Sequence, residues 1–133
     1  MTVFMDTFAL IAWLHPRDPY YDKVSNWLAE YRGNFVTTES VLLEFGDALC
    51  SSRLRGIVVQ FLEAVRSDPL FEIVPHDQPV IDAGFKLFAA RPDKDWSLTD
   101  CISFQVMTAR SLTDALTADH HYEQAGFRAL FKD

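Results

Sequence analysis

The chain has few of the residues that would stabilise it by anything other than a packed core. It contains only 2 cysteines among 133 residues, so it lacks the disulfide framework of small secreted domains. Both cysteines, Cys50 and Cys101, fall in predicted helices among apolar neighbours, which indicates free thiols in the core. We therefore expect no disulfide.

Basic residues are also scarce. The sequence has 12 Lys and Arg against 19 Asp and Glu, which gives a net charge of −7. A domain with this balance does not attract phosphate backbones by its overall charge, which argues against an ordinary nucleic-acid-binding module. The balance does not argue against a metal-dependent enzyme, because bound cations reverse the sign of the charge locally.

The sequence has no long hydrophobic run. No stretch approaches the roughly 20 apolar residues that a membrane helix needs, so we expect no membrane association. Residues 1–13 are apolar, but they lack a basic leading segment and contain Asp6, which argues against a signal peptide and favours a cytoplasmic location. Neither a Gly-rich phosphate loop nor a G-x-S-x-G elbow is present.

Apolar and aromatic residues are plentiful. Hydrophobic residues make up 49% of the chain and aromatic residues 14%, which is enough for one folded domain over residues 1–133. Short apolar runs alternate with helical patterns, and this order predicts an α/β fold with a parallel sheet covered by helices on both faces. The predicted strands are 3–5, 34–37, 71–74, 115–117 and 127–131, and the predicted helices are 7–14, 18–33, 38–50, 57–66, 78–90, 97–110 and 120–125.

Four acidic residues lie where such a fold would gather them. Asp6 and Asp119 each follow a predicted strand, and ligands of open parallel sheets bind beyond the carboxyl ends of the strands. Glu44 shares or borders the apolar stripe of its helix, where a charge is expensive unless it is paired or binds metal. Asp100 lies at the start of a predicted helix, which we expect to present its carboxylate to the same edge.

Each of these acids also has a structural interpretation. An Asp after a strand often forms a turn or caps a helix. Glu44 can extend from the edge of its stripe into solvent, or pair with Arg53 or Arg55. Asp100 follows Ser97 at the spacing of a capping box, which alone would account for an acid there.

Taken together, the four acids favour a divalent metal site. Mg²⁺ and Mn²⁺ prefer oxygen ligands, and carboxylates crowded without a cation would repel one another. Two such ions about 3.5–4 Å apart can activate a water molecule and stabilise the leaving oxygen of a phosphodiester. The hydroxyl residues beside the acids can orient carboxylates or water, although we favour their interpretation as caps or strand-end residues; they are Thr7, Thr99 and Thr117.

Histidine does not provide a competing zinc site by sequence. His120 and His121 are adjacent, so their side chains are expected to diverge, and no H-E-x-x-H or cysteine-pair spacing accompanies them. His15 and His76 lie beside prolines and are interpreted as surface groups.

Four segments in order resemble one known family. They are 4–8 (FMDTF), 39–45 (ESVLLEF), 97–101 (SLTDC) and 116–127 (LTADHHYEQAGF), and their acids are 38, 56 and 19 residues apart. Over essentially its whole length the chain resembles a PIN domain of the compact prokaryotic kind, found as the VapC toxin of VapBC toxin–antitoxin pairs. The resemblance implies a three-layer α/β/α PIN-like fold with a five-stranded parallel sheet.

The resemblance also implies an activity and a set of site residues. It implies an endoribonuclease that depends on Mg²⁺ or Mn²⁺ and cleaves RNA with a metal-activated water. The family's acidic quartet corresponds to Asp6, Glu44, Asp100 and Asp119 as catalytic and metal-binding residues, with Thr7 and Thr99 in supporting positions. Many relatives have a further acid two places after the fourth carboxylate, where this chain has His121 instead. Asp95, interpreted as a loop residue, could be an outer ligand.

The implied partners are an RNA substrate, a VapB-like antitoxin and a second copy of the chain in a homodimer. The best candidates for phosphate contacts are Arg53, Arg55, Arg91 and Lys94. Trp13, Trp27 and Tyr31 lie on early apolar helices and are interpreted as core or interface residues.

Two alternatives remain open at this stage. One is a housekeeping PIN nuclease without an antitoxin, and the other is a catalytically silent PIN fold that only binds proteins. The sequence does not identify the RNA target, the preferred ion, the number of ions or the oligomeric state.

Overall fold

The computed structural model describes residues 1–132, which form five strands and seven helices. All the strands are short, and every helix lies between two strands in the chain order, as the sequence predicts. In chain order the elements are β1 Thr2–Met5, α1 Thr7–Leu14, α2 Tyr21–Glu30, β2 Asn34–Thr38, α3 Glu39–Ala48, α4 Ser52–Ser67, β3 Phe71–Val74, α5 Gln78–Ala90, α6 Leu98–Ala109, β4 Asp114–Leu116, α7 His120–Gln124 and β5 Arg128–Ala129.

The five strands form one parallel sheet in the order β3-β2-β1-β4-β5. The chain builds β1, β2 and β3 outward on one side and then returns to add β4 and β5 on the other side of β1. The direction therefore reverses between β1 and β4, which is where open α/β sheets form their ligand crevice. In the register of this pair Met5 lies opposite Leu116, so the residues that follow each strand meet at the same edge. The predicted five-stranded α/β/α fold is confirmed.

The core lies between the sheet and its covering helices and is unusually rich in aromatic rings. The Phe104 ring makes edge-to-face contacts with Trp96 and Tyr122, at centroid distances of 5.1 and 5.0 Å. Phe4, at the centre of β1, and Phe45, on α3, are fully buried. This packing makes the central strands a rigid support for the residues at their ends. Within residues 1–132, no helix combines the length and the apolar composition needed to cross a membrane.

The predicted boundaries of three helices were wrong. Residues 51–56, expected to be a linker, belong to α4 from Ser52 onward, because Arg is a good helix former and Gly56 is tolerated inside the helix. α2 begins at Tyr21, after the predicted start at Asp18, because the Asp18 carboxylate accepts a hydrogen bond from the Tyr20 N–H in a turn before the helix. α3 ends at Ala48, which leaves Cys50 exposed and corrects its assignment to the core, whereas Cys101 is buried as expected.

Close contact between α5 and α6 depends on Gly84. A Cβ atom at this position would overlap Ile102, with the Ile102 Cα only 3.1 Å away. We therefore expect Gly84→Ala to force the helices apart and to lower the free energy of unfolding by about 1–3 kcal/mol, as measured by urea denaturation.

Gly56 provides the matched control, because it also lies inside a helix but a Cβ atom added there would meet no atom within 4 Å. Gly56→Ala should raise the free energy of unfolding by about 0.5–1 kcal/mol through helix propensity. If both substitutions shift stability in the same direction, the contact with Ile102 is not what makes Gly84 necessary.

Candidate metal centre

Asp6 lies in the crevice between β1 and β4. It follows β1 directly and occupies the N-cap position of α1, but its side chain makes no capping hydrogen bond. Instead Oδ2 accepts a hydrogen bond of 2.9 Å from the hydroxyl of Thr117. Burial raises the pKa of Asp6 to about 7, and the Thr117 hydroxyl only partly offsets this effect. Helix capping therefore does not explain the position of the Asp6 side chain.

Thr117 connects the acids of the two central strands. It is fully buried immediately after β4, and its hydroxyl also accepts a 3.1 Å hydrogen bond from the backbone N–H of Asp119. One hydroxyl therefore sets the position of Asp6 and of the turn that contains Asp119. The interpretation of Thr117 as a strand-end residue alone missed this role, which depends on the register between strands 111 residues apart.

Asp100 combines both of its predicted roles. Its N–H donates to the Ser97 hydroxyl at 3.0 Å and its Oδ2 accepts from the Ser97 N–H at 3.1 Å, which completes a capping box at the start of α6. Burial raises the pKa of Asp100, and the nearby charge of Asp119 acts in the same direction. Asp100 in turn contributes to the raised pKa of Asp6, which places these carboxylates within electrostatic range of one another.

Glu44 reaches the site from α3. Its side chain is exposed rather than facing the core, which corrects the expectation of an inward charge, and no Lys or Arg within residues 1–132 pairs with it. Its Oε1 accepts a short hydrogen bond of 2.5 Å from the hydroxyl of Thr7, the residue after Asp6. Thr7 therefore holds Glu44 beside Asp6. Thr99, the second predicted supporting residue, lines a cleft of about 310 Å³ together with Glu44.

A divalent cation matches the charge of this donor set, although the four acids are not gathered within 4.8 Å of one another in the part of the chain described. Of the four acids, Asp6 is buried and Asp100 partly so, and none of the four forms an ion pair with a Lys or Arg in the part of the chain described. Crowded carboxylates without a basic partner are costly, and burial alone already favours the protonated form of Asp6. A bound Mg²⁺ or Mn²⁺ would supply the missing positive charge to oxygen ligands of the kind these ions prefer.

The two adjacent histidines do not diverge, contrary to the sequence-based expectation. Their ring centroids are 4.4 Å apart, and both Nδ1 atoms face Oδ1 of Asp119, at 3.7 Å for His120 and 3.3 Å for His121. One ligand atom from each of these three residues lies within 4.8 Å of the others. The rings converge because Asp119 is the N-cap of α7 and accepts the His121 N–H at 2.9 Å.

Tyr122 is a site residue that the sequence reasoning missed. It is fully buried, and its hydroxyl faces Asp6 and Ser103, although it makes no hydrogen bond of ordinary geometry within residues 1–132. Burial and the charges of Asp6 and Asp100 raise its pKa well above the ordinary value, so the phenol stays neutral. A tyrosine in the last predicted helix is expected to pack in the core. Nothing in the local sequence indicates that its hydroxyl faces Asp6.

The basic residues proposed for phosphate contacts lie in two places. Arg91 and Lys94 line a cleft of about 460 Å³ beside Phe85 and Phe88, next to the start of α6, and Arg91 also pairs with Asp93 at 2.9 Å. By contrast, Arg53 and Arg55 lie on the first turn of α4.

The early aromatic side chains are partly buried and pack against the edge of the core. Trp13 contacts the rings of Phe61 and Phe71, at centroid distances of 5.2 and 6.4 Å, and Trp27 stacks on Tyr31 at 4.7 Å. All three residues lie at the margin of the core, and Trp13 also lines a surface cleft of about 420 Å³, so these contacts fit both the core and the interface interpretation.

Comparison with known proteins is consistent with this architecture. The family model for the PIN domain matches residues 3–128. Among solved structures, the chain is similar to VapC20 of Mycobacterium tuberculosis, described as a sarcin-ricin loop cleaving toxin, with a TM-score of 0.87 and 19% identity over 96% of this chain and 98% of that one.

Two further structures show the same fold. FitAcB of Neisseria gonorrhoeae has a TM-score of 0.69 and 19% identity over 97% of this chain and 95% of that one. VapBC2 of Rickettsia felis, bound to a DNA fragment from its promoter, has a TM-score of 0.66 and 13% identity over 94% and 93%. No curated protein matches the sequence significantly.

Proposed function

The chain belongs to the PIN domain family, and on that premise we propose that it is a divalent-metal-dependent endoribonuclease that acts as the toxin of a type II toxin–antitoxin pair. The observation that supports the nuclease assignment best is the buried carboxylate of Asp6, which no basic residue described here pairs with and which lies within electrostatic range of Asp100. This is the arrangement expected of a cation site and is costly without one.

We assign the metal-binding role to Asp6, Glu44, Asp100 and Asp119. A bound Mg²⁺ or Mn²⁺ would supply an activated water molecule and neutralise charge on the phosphodiester. Thr117 holds Asp6 against the β1–β4 crevice, Thr7 holds Glu44 beside it, and the capping box fixes Asp100 at the start of α6. The chain itself therefore positions the acids, and no general-base histidine is needed.

RNA is the substrate that we propose. The supporting features are the adjacent cleft, in which Arg91 and Lys94 lie beside exposed Phe85 and Phe88 for contacts to phosphates and bases, and the cleavage of the sarcin-ricin loop named for VapC20. The same proposal places the protein in the cytoplasm.

An antitoxin partner is proposed from two similar solved structures, VapBC2 bound to a DNA fragment from its promoter and FitAB bound to an IR36 DNA fragment. The exposed apolar side chains of α4, Ile57 and Val59, are a surface available to an antitoxin or to a second copy in a homodimer. Copurification with the product of a neighbouring reading frame would support this role, and a nuclease that functions without such a partner would favour the housekeeping alternative.

The nuclease proposal is tested by incubating the purified protein with a structured RNA and with DNA of the same sequence. We expect RNA cleavage with Mn²⁺ or Mg²⁺, a loss of on the order of 100-fold or more in EDTA, and recovery when the ion is added back, because the acids alone provide no activated water. The readout is the initial rate of product formation on a denaturing gel.

Asp82→Asn is the matched control, since Asp82 is an exposed acid on α5 whose side chain accepts a hydrogen bond from Gln78. This variant should cleave at the wild-type rate. Binding of metal without any cleavage would favour the catalytically silent alternative, and full cleavage in EDTA would contradict a metal-dependent mechanism.

A further inference from the structure

The Nδ1 atom of His121 is buried, lies between two of the acids and makes no hydrogen bond of ordinary geometry within residues 1–132. It is 3.3 Å from Oδ1 of Asp119 and 3.4 Å from Oδ2 of Asp100. The backbone N–H of His121 donates a hydrogen bond to Asp119, which fixes the backbone at the start of α7. The His121 ring packs against the ring of His120. A buried ring nitrogen in this position requires a partner.

The two distances match those between neighbouring ligands of one metal ion. Ligands that bind a divalent ion at about 2.0–2.1 Å are about 2.8–3.0 Å apart in adjacent positions of an octahedron and about 3.3–3.4 Å apart in a tetrahedron. The distances from His121 Nδ1 to Asp119 and Asp100, 3.3 and 3.4 Å, equal the tetrahedral separation and exceed the octahedral one by a few tenths of an ångström. His120 does not, because its side chain is 61% exposed and its Nδ1 is 3.7 Å from Asp119.

We propose that His121 Nδ1 is a nitrogen ligand of the cation held at the Asp100–Asp119 end of the site, and that it gives the site a preference for Mn²⁺ and other transition-metal ions over Mg²⁺. This inference depends on the proposed function, since it concerns the same cation. Its chemical basis is that imidazole binds first-row transition-metal ions well, whereas Mg²⁺ strongly prefers oxygen ligands and retains its water. A site composed of carboxylates alone would discriminate less between Mn²⁺ and Mg²⁺.

This role was not predicted from sequence, because the side chains of adjacent histidines are expected to diverge and no metal-binding spacing accompanies them. The convergence arises from the N-cap of α7, which turns both rings towards Asp119. It also depends on α6, which places Asp100 on the opposite side of the His121 ring.

The experiment measures the dissociation constants of Mn²⁺ and Mg²⁺ by calorimetry, and nitrogen coupling to bound Mn²⁺ by pulsed electron paramagnetic resonance. We expect ¹⁴N coupling in the wild type and its loss in His121→Asp and His121→Leu. In His121→Asp, the ratio of the Mg²⁺ to the Mn²⁺ dissociation constant should fall by about 10-fold or more. His121→Leu separates loss of the ligand from its replacement by oxygen.

His120→Asn is the matched control, because the exposed neighbour should alter neither the coupling nor the ratio by more than about twofold. Absence of ¹⁴N coupling in the wild type, or an unchanged ratio in His121→Asp, would overturn the inference. If the wild type still cleaves RNA in a metal-dependent way, the proposed function survives that result. Failure of the wild type to bind either ion would overturn both.

Discussion

Asp6→Asn is expected to reduce RNA cleavage by on the order of 1000-fold while leaving the fold intact, because the loss of several kcal/mol of electrostatic stabilisation corresponds to a factor of that size. The substitution removes the buried negative charge but keeps the shape of the side chain. The Asn carbonyl oxygen can still accept the hydrogen bond that Thr117 donates to Oδ2. The measurement is the initial rate of cleavage in Mn²⁺, with circular dichroism as the check on folding.

Asp22→Asn serves as its control, since Asp22 is an exposed acid in the first turn of α2 and is not one of the four acids. It should retain full activity. Cleavage by Asp6→Asn within about tenfold of wild type would show that Asp6 is not a ligand that the reaction requires.

The same substitution is expected to make the metal-free protein more stable at neutral and alkaline pH. Burial raises the pKa of Asp6 from 3.8 to about 7, so between these values the folded state holds a proton that the unfolded state has released. The contribution of Asp6 to stability therefore falls as the pH rises through this window and is lowest above pH 7. Asn is neutral at every pH and avoids this loss.

The expected size follows from the shift in pKa. A shift of about three units corresponds to about 4 kcal/mol, so the advantage of Asp6→Asn over wild type should increase by about 2–4 kcal/mol between pH 4 and pH 8. The measurement is urea denaturation in EDTA across this range. Because other carboxyl groups titrate in both proteins, the difference between the two curves isolates Asp6.

Added Mn²⁺ completes this test. At pH 8 the ion should stabilise the wild type, since it binds only the folded state, and should have much less effect on Asp6→Asn. A wild-type protein that is as stable as the variant at pH 8 without metal would mean that the buried carboxylate is neutralised in some other way.

The fold and the position of Asp6 and Asp119 beyond the strand ends could be predicted from sequence because both depend on local patterns. Short apolar runs that end at Asp6 and before Asp119 define strands, and the alternation with helices leaves a parallel sheet as the simple solution. The capping box at Ser97 and Asp100 is also a local pattern, and it is present as expected.

The support of the acids could not be predicted because it depends on contacts between distant segments. Thr117 bonds to Asp6 only because β4 inserts next to β1 in the register that pairs Met5 with Leu116. The burial of the Tyr122 hydroxyl and the convergence of the His121 ring likewise depend on how α7 packs against the sheet edge. Periodicity indicates which face of an element is apolar, but it does not determine which polar atom lies opposite another.

The central claim is that Asp6, Asp100, Asp119 and Glu44 meet at one place to hold a divalent cation. Crystals soaked in Mn²⁺ and measured at a wavelength that gives anomalous scattering from manganese test it directly. We expect an anomalous peak at the β1–β4 crevice within about 2.3 Å of carboxylate oxygens of Asp6 and Asp100. A fully soaked crystal in which manganese binds elsewhere, or in which these carboxylates bind no ion, would contradict the account.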